Sequence, residues 1–291
     1  MATPMTADQF VAALLTEGLR VIEHPGWRTH NRAGHGAWGD IHGAMIHHTG
    51  GSAPSDGEIV YSGRSDLPGP CAHSYLAKSG TVTMTGNGRA NHAGGGSPAV
   101  LSAVINESYG SAPPATHFHE GSPGTADGNA SFYGLEVSNL GTKADAYPAV
   151  QYDAAVRWAA AICRHHGWSA KSTIGHKEWS DWKPDPIYSM TTFRADVAAR
   201  LAHPASWNPG STPAPPKETP VATTAQQVDQ LHSALTSIGS LTEVDAKGKA
   251  VPHGAGYYVA HIEQDTAAIQ LKVDRIEKAL ADLTALIKSQ A

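Results

Sequence analysis

A proline-rich break from His203 to Gln227, HPASWNPGSTPAPPKETPVATTAQQ, sets the strongest limit on what this 291-residue chain can fold into. Proline fixes φ and withholds a backbone donor, and mixed with Ser, Thr and Ala it makes an extended, semi-rigid connector. The break leaves about 200 residues before it to build one core and a shorter stretch after it to form something separate. The expected organisation is a domain over residues 1–204, a Pro/Thr/Ala-rich linker over 205–227 and a C-terminal region over 228–291.

Before the linker, strand and helix signals alternate. The stretches GAMIHHT and SYLAKSGTVTMTG read as strands, the second folded back at Ser79-Gly80, and SFYGLEVSNLG reads as another. AYPAVQYDAAVRWAAAICRHHG predicts a helix from about Pro148 that stops at Gly167, and TTFRADVAARLAH predicts a last helix. At the N-terminus Phe10, Ala13, Leu14 and Leu19 recur at helical spacing. This alternation predicts an α/β domain, a central mixed β-sheet flanked by helices.

After the linker, Val228, Leu231, Leu235 and Ile238 mark a short amphipathic helix. From about residue 260 the spacing alternates between four and three: Ile262, Ile269, Ile276 and Leu283 fall at d, and Thr266, Val273, Leu280 and Ile287 at a. That is a coiled-coil seam, with isoleucine at d leaning toward a trimer or tetramer. The C-terminal region is therefore expected to be helical and to allow a homo-oligomer. A single helix laying its stripe on the globular domain is the other reading.

Several function classes are disfavoured. A formal charge of −5 lacks the basic face of a nucleic-acid binder. No run reaches the roughly 18 apolar residues that span a membrane. The N-terminal stretch carries Asp8 and Glu17 and no basic leader, so it is expected to be a helix rather than a signal peptide. Two cysteines, Cys71 and Cys163, are too few for a disulfide scaffold or a four-cysteine zinc site, and two free thiols is the plainer reading.

Seventeen histidines against four phenylalanines point instead to a metal or acid–base site. In TIGHKEWSDWKPDP, His176 and Asp185 lie nine residues apart in a loop with Lys183 between them, a spacing that could close on one metal ion. Catalytic Zn²⁺ takes three protein ligands and keeps a fourth position open. His47 or His48, adjacent at a strand end, could supply the third, and strand alternation lets only one of them face the site. Glu136, between apolar Leu135 and Val137, is a carboxylate on a strand face and a candidate general base.

Taken together, MIHHTGG, AHSYLAKSGTV, GRANHAGGG, SFYGLEVSN and GHKEWSDWKPDP, in that order between about Trp27 and Pro186, resemble the zinc-dependent N-acetylmuramoyl-L-alanine amidases. These share their fold with peptidoglycan recognition proteins, and the nearest branches are the AmpD-like enzymes and actinobacterial phage endolysins. The resemblance implies one Zn²⁺ held by His47, His176 and Asp185, with Glu136 and Lys183 as catalytic residues. It places His73 and His92 near the cleft, as residues that touch substrate or support the site. Ala72 stands where many relatives carry a tyrosine, Trp182 where an arginine is usual, and the segment from His176 to Asp185 is one residue short of the commonest form.

The implied activity is hydrolysis of the amide between N-acetylmuramic acid and L-alanine of peptidoglycan. The linker and appended region suit a phage or prophage endolysin, made in the host cytoplasm and reaching the wall through holin pores. A cytoplasmic wall-recycling amidase, a non-catalytic peptidoglycan-binding module and a hydrolase of another amide are the competing readings.

Overall fold

The computed structural model describes residues 2–53, 55–116, 124–208, 240–244 and 250–254. The chain divides into two compact units, Met1–Pro209 and Gly210–Ala291.

The first unit opens with α1 (Ala7–Thr16), started by a capping box between Thr6 and Gln9. There follow β1 (Arg20–Glu23), β2 (Gly43–His48), α2 (Asp56–Ser62), β3 (Ser74–Leu76) and β4 (Thr81–Met84). Next come β5 (Gly95–Gly96), α3 (Pro98–Ile105), β6 (Ala126–Asp127), α4 (Gly128–Ser131) and β7 (Phe132–Val137). The unit closes with α5 (Ala149–His166), β8 (Thr173–Gly175), α6 (His176–Trp179) and α7 (Met190–Leu201). The predicted helix stop is met: Gly167 adopts φ 70° at the C-terminus of α5, a left-handed conformation that costs glycine little.

Six strands form one mixed sheet in the order β1-β4-β3-β7-β2-β8. All neighbours run parallel except β3 and β4, which fold back through Ser79-Gly80. Parallel strands need helices on their faces, and period-two alternation sorts the side chains accordingly. Ala44, Ile46, Tyr133 and Leu135 pack with Phe10 of α1, Trp158 and Ile162 of α5, and Phe193 and Val197 of α7. Met45 and Phe132 point the other way, onto Ile174, Trp179, Val100 and Val104. His47 shares the face of Met45, and His48 shares that of Ala44 and Ile46.

A buried charge network ties the helical layer together. Glu17, after α1, accepts from Arg200 Nε and Arg164 Nε, both at 2.6 Å. Arg200 also donates to the carbonyls of Ala205 and Trp207. The first unit therefore keeps residues 205–208 in its packing, a few residues past the edge expected from composition.

In the second unit, β9 (Ser240–Val244) and β10 (Ala250–Gly254) form an antiparallel pair, with Ser240 opposite Gly254. A helical reading of 228–291 does not hold for these ten residues. Thr242, Val244 and Val251 are β-branched and Gly248 lies between the strands, a hairpin pattern without helical periodicity. The predicted helix over Val228–Ile238, the heptads from Ile262 to Ile287 and nearly all of the linker lie outside the described residues.

Candidate metal centre

Parallel strands β7 and β2 end side by side, and their register sets His47 directly opposite Glu136. The next neighbour of β2, β8, runs straight into α6, whose first residue is His176. Three chemistry-bearing side chains thus meet at the carboxyl ends of adjacent strands, where open α/β sheets place their ligands. Glu178 fixes the α6 turn: its Oε2 accepts from the Gly175 amide at 3.0 Å, and both carboxylate oxygens are gripped by Arg194 at 2.7 and 2.8 Å. Asp185 is brought in by the loop after α6, where its carbonyl accepts from the Lys177 amide at 2.8 Å.

His47, His176 and Asp185 are all buried. Their ligand atoms form a small triangle: His47 Nδ1 to His176 Nδ1 is 2.9 Å, His176 Nδ1 to Asp185 Oδ2 is 3.2 Å, and His47 Nδ1 to Asp185 Oδ2 is 3.3 Å. Zinc bonds of about 2.0–2.1 Å at tetrahedral angles put neighbouring ligand atoms about 3.3 Å apart, so two nitrogens and a carboxylate oxygen at these separations fit the ion. The shorter segment between His176 and Asp185 still closes.

A chain of hydrogen bonds assigns the protons on His47. The Phe132 carbonyl can only accept, so His92 Nε2, 3.0 Å away, carries a hydrogen. Burial, with the charges of the surrounding histidines, drives the His92 pKa well below its usual value, so the ring is neutral and its Nδ1 is a bare acceptor. His47 Nε2, 3.0 Å from that atom, must then donate. Burial, with His176 beside it, lowers the His47 pKa to about 4, which leaves Nδ1 as a lone pair aimed into the triangle. His92 therefore presets His47 as a ligand, the kind of support metal-bound histidines commonly have. The ring fits because β7 has a glycine beneath it: a Cβ at Gly134 would lie 2.6 Å from His92 Nδ1. Asn129 Oδ1 holds the loop by accepting from the amides of His92, Ala93 and Gly94.

Glu136 sits beside the triangle with Oε2 buried and without a hydrogen-bond partner among the described residues. Burial first, and then the charge of Asp185, raise its pKa well above the usual carboxylate value, against the opposing pull of Lys183. A proton acceptor of that kind, unengaged and shifted toward neutrality, suits general-base work. Lys183 lines the same cavity of about 360 Å³ with His47, Glu136, His176 and Asp185. Its Nζ lies 3.8 Å from the centroid of the Trp182 ring, a cation–π contact that holds the ammonium at the rim.

One predicted residue lies elsewhere. His73 does not line the cavity; its Nε2 donates to the Gly88 carbonyl at 2.8 Å and its Nδ1 accepts from the Gly134 amide at 2.9 Å. His48 reaches the cavity rim from the opposite strand face and meets the Tyr147 hydroxyl at 3.2 Å. Both cysteines are buried free thiols, and burial, with Glu136 nearby, pushes Cys71 up to about 11, so it stays protonated. Sequence reasoning passed over Glu178, Arg194 and Asn129. Glu178 carries the one legible signal, an acidic residue three positions after the glycine that opens a helical turn, placed to accept from its amide.

Residues 37–187, just over half of the chain, match the family profile of N-acetylmuramoyl-L-alanine amidase, Amidase_2. The chain belongs to this amidase family. All five residues of the centre fall inside the matched span. No curated protein matches the chain. Among solved structures, similarity is found to the endolysin amidase LysCS from Clostridium intestinale URNW, at 15% identity over 61% of this chain and 95% of that one, TM-score 0.39. An AmpD derivative is similar at 20% identity over 62% and 94%, TM-score 0.40. AmiD from E. coli, in complex with anhydro-N-acetylmuramic acid-L-Ala-D-gamma-Glu-L-Lys, is similar at 15% identity over 57% and 60%, TM-score 0.39. Membership rests on the profile match. Among the described residues, no helix of the amidase is long and apolar enough to cross a membrane.

Proposed function

We propose that this amidase is a zinc-dependent peptidoglycan hydrolase that cuts the amide between the lactyl group of N-acetylmuramic acid and L-alanine of the stem peptide. The observation that carries the reading is the buried triangle of His47, His176 and Asp185 set beside the unengaged Oε2 of Glu136. Zn²⁺ held by those three residues would supply Lewis acidity to the scissile carbonyl and the attacking water.

The chain's own groups account for the proton and charge movements. Glu136 takes the proton of the attacking water at its buried carboxylate and returns it to the departing L-alanine nitrogen. Lys183 faces the negative charge that develops on the carbonyl oxygen, a contribution of roughly 3–4 kcal/mol for one well-placed donor. His92 keeps His47 in the tautomer whose Nδ1 is free, and Glu178 holds the turn that aims His176. A neutral amide needs both an activated nucleophile and a stabilised oxyanion, and the centre has residues for each.

The setting we favour is an endolysin that lyses a host wall after release through holin pores; wall recycling is the alternative. The Pro-rich linker and the heptads beyond it support the endolysin reading, since several catalytic heads on one oligomer would gain avidity for a polymeric wall. Digestion of purified walls with mass spectrometry of the new termini tests the bond. New L-alanine amines, lost on chelation and regained with zinc, are expected. New termini elsewhere in the peptide would make the enzyme a peptidase.

A further inference from the structure

Lys183 is the one lysine or arginine that lines the catalytic cavity, and its anchorage is unusual. Among the described residues no hydrogen bond or ion pair engages its Nζ; the ammonium rests on the Trp182 ring, 3.8 Å from the centroid. A fixed turn sets that ring. Ser180 is buried, its amide donates to the His176 carbonyl at 3.0 Å, and its hydroxyl donates to the Gly95 carbonyl at 3.4 Å. The Lys183 amide then closes the turn on the Ser180 carbonyl at 3.3 Å, with Trp182 inside it. Trp182 lines the cavity too and stays 39% exposed, so core packing does not account for a large ring at this rim.

A lysine left free in this cavity has a competing partner. Glu136 lines the same space, feels the Lys183 charge, and keeps a buried Oε2 that accepts no hydrogen bond among the described residues. The flexible four-carbon stem of lysine gives its ammonium many positions. A charge-assisted bond to a carboxylate is strong, and here it would disable two groups at once. The base would hold the lysine's N–H donors, and the lysine would no longer face a developing oxyanion. We infer that Trp182 is a positioning residue, whose ring holds the Lys183 ammonium at the cavity rim and apart from Glu136. The inference rests on the amidase reading of the site. An aromatic face suits this task, because its quadrupole attracts the cation while leaving the N–H groups for a substrate oxygen. A carboxylate in place of the ring would compete with that oxygen, and an aliphatic side chain would not direct the ammonium at all.

The test reads position and rate on the same zinc-loaded full chain. With ¹³C-labelled lysine, NMR should show one ε-methylene shifted upfield by the ring current of Trp182, assigned by its disappearance in Lys183→Arg. Trp182→Leu should return that signal to the ordinary lysine range, and Trp182→Phe should keep part of the shift. On a soluble muropeptide, N-acetylmuramoyl-L-Ala-D-γ-Glu-L-Lys, Trp182→Leu should lower kcat about tenfold, equivalent to about 1.4 kcal/mol, and leave KM nearly unchanged. Trp182→Phe should recover most of that rate, whereas a role in filling space would serve leucine and phenylalanine alike. An unshifted lysine signal in the wild type would overturn the inference. So would a wild-type kcat in Trp182→Leu, equal losses in the two variants, or a loss confined to KM, which would make Trp182 a substrate contact instead. Absence of cleavage by the wild type, with the upfield signal present and lost in Trp182→Leu, removes the amidase reading and keeps the ring as the anchor of Lys183.

Discussion

Replacing His92 by phenylalanine should weaken metal binding although His92 is not a ligand. The ring bridges His47 Nε2 and the Phe132 carbonyl, each at 3.0 Å, in a buried setting. Phenylalanine fills the same space over Gly134 but leaves a buried N–H and a buried carbonyl unpaired, at about 1–3 kcal/mol each. It also frees His47 to place its hydrogen on Nδ1, the atom that must be bare to ligate. Loss of such support typically costs 10–100-fold in metal affinity. Competition against a chromophoric chelator gives the zinc Kd, and thermal melts of the metal-free protein give the stability term. His92→Gln provides the control, since its carbonyl can accept from His47 and its amide can donate to Phe132, and it should recover much of the affinity. Wild-type zinc affinity in His92→Phe would refute the tautomer argument. So would equal losses in the two variants.

Three further outcomes follow from the same structure. His47→Ala should abolish stoichiometric zinc by elemental analysis, whereas His48→Ala, which loses the Tyr147 contact on the opposite face, should keep the metal and lower only the melting temperature. Arg200→Met strands part of the buried charge of Glu17 and should cost about 3–5 kcal/mol in urea unfolding; also changing Glu17→Leu should recover only part of it, since Arg164 then loses its partner and the Ala205 and Trp207 carbonyls stay unpaired. His73 contributes to the pH dependence alongside His47, His92 and His166: burial lowers its pKa to about 4 from 6.5. Between those values the unfolded chain binds a proton that the folded chain refuses, so this stability is complete above pH 6.5, falls as the pH drops and is gone below about 4, a change of about 3 kcal/mol. His73→Gln should reduce that slope by one histidine's share in metal-free unfolding curves; an unchanged slope would exclude His73 as a contributor.

The elements near the site were legible because they obey strong local rules. Period two in GAMIHHT assigned His47 and His48 to opposite faces, and Gly167 stops α5 because a left-handed residue is needed there. Grouping His47 with His176 and Asp185 relied on family motifs, since no local rule joins residues 129 positions apart. The His92–His47 link was not legible, because it depends on a glycine in β7 leaving room for a ring delivered by another loop. His73 carries the same residue type as His92 and a similar motif context, yet both of its nitrogens go to backbone groups, which only the register of β7 decides. The β9–β10 pair went unread because two apolar-periodic stretches on either side suggested continuous helix.

In the proposed mechanism the buried triangle binds the metal and Glu136 moves the proton. Glu136→Gln keeps the size of the side chain and removes its basicity, so zinc content by elemental analysis and release of L-alanine amines from purified walls can be measured on the same sample. One zinc per chain is expected, as in the wild type, with cleavage reduced by roughly 10²–10⁴-fold. Cleavage near the wild-type rate with zinc retained would contradict it.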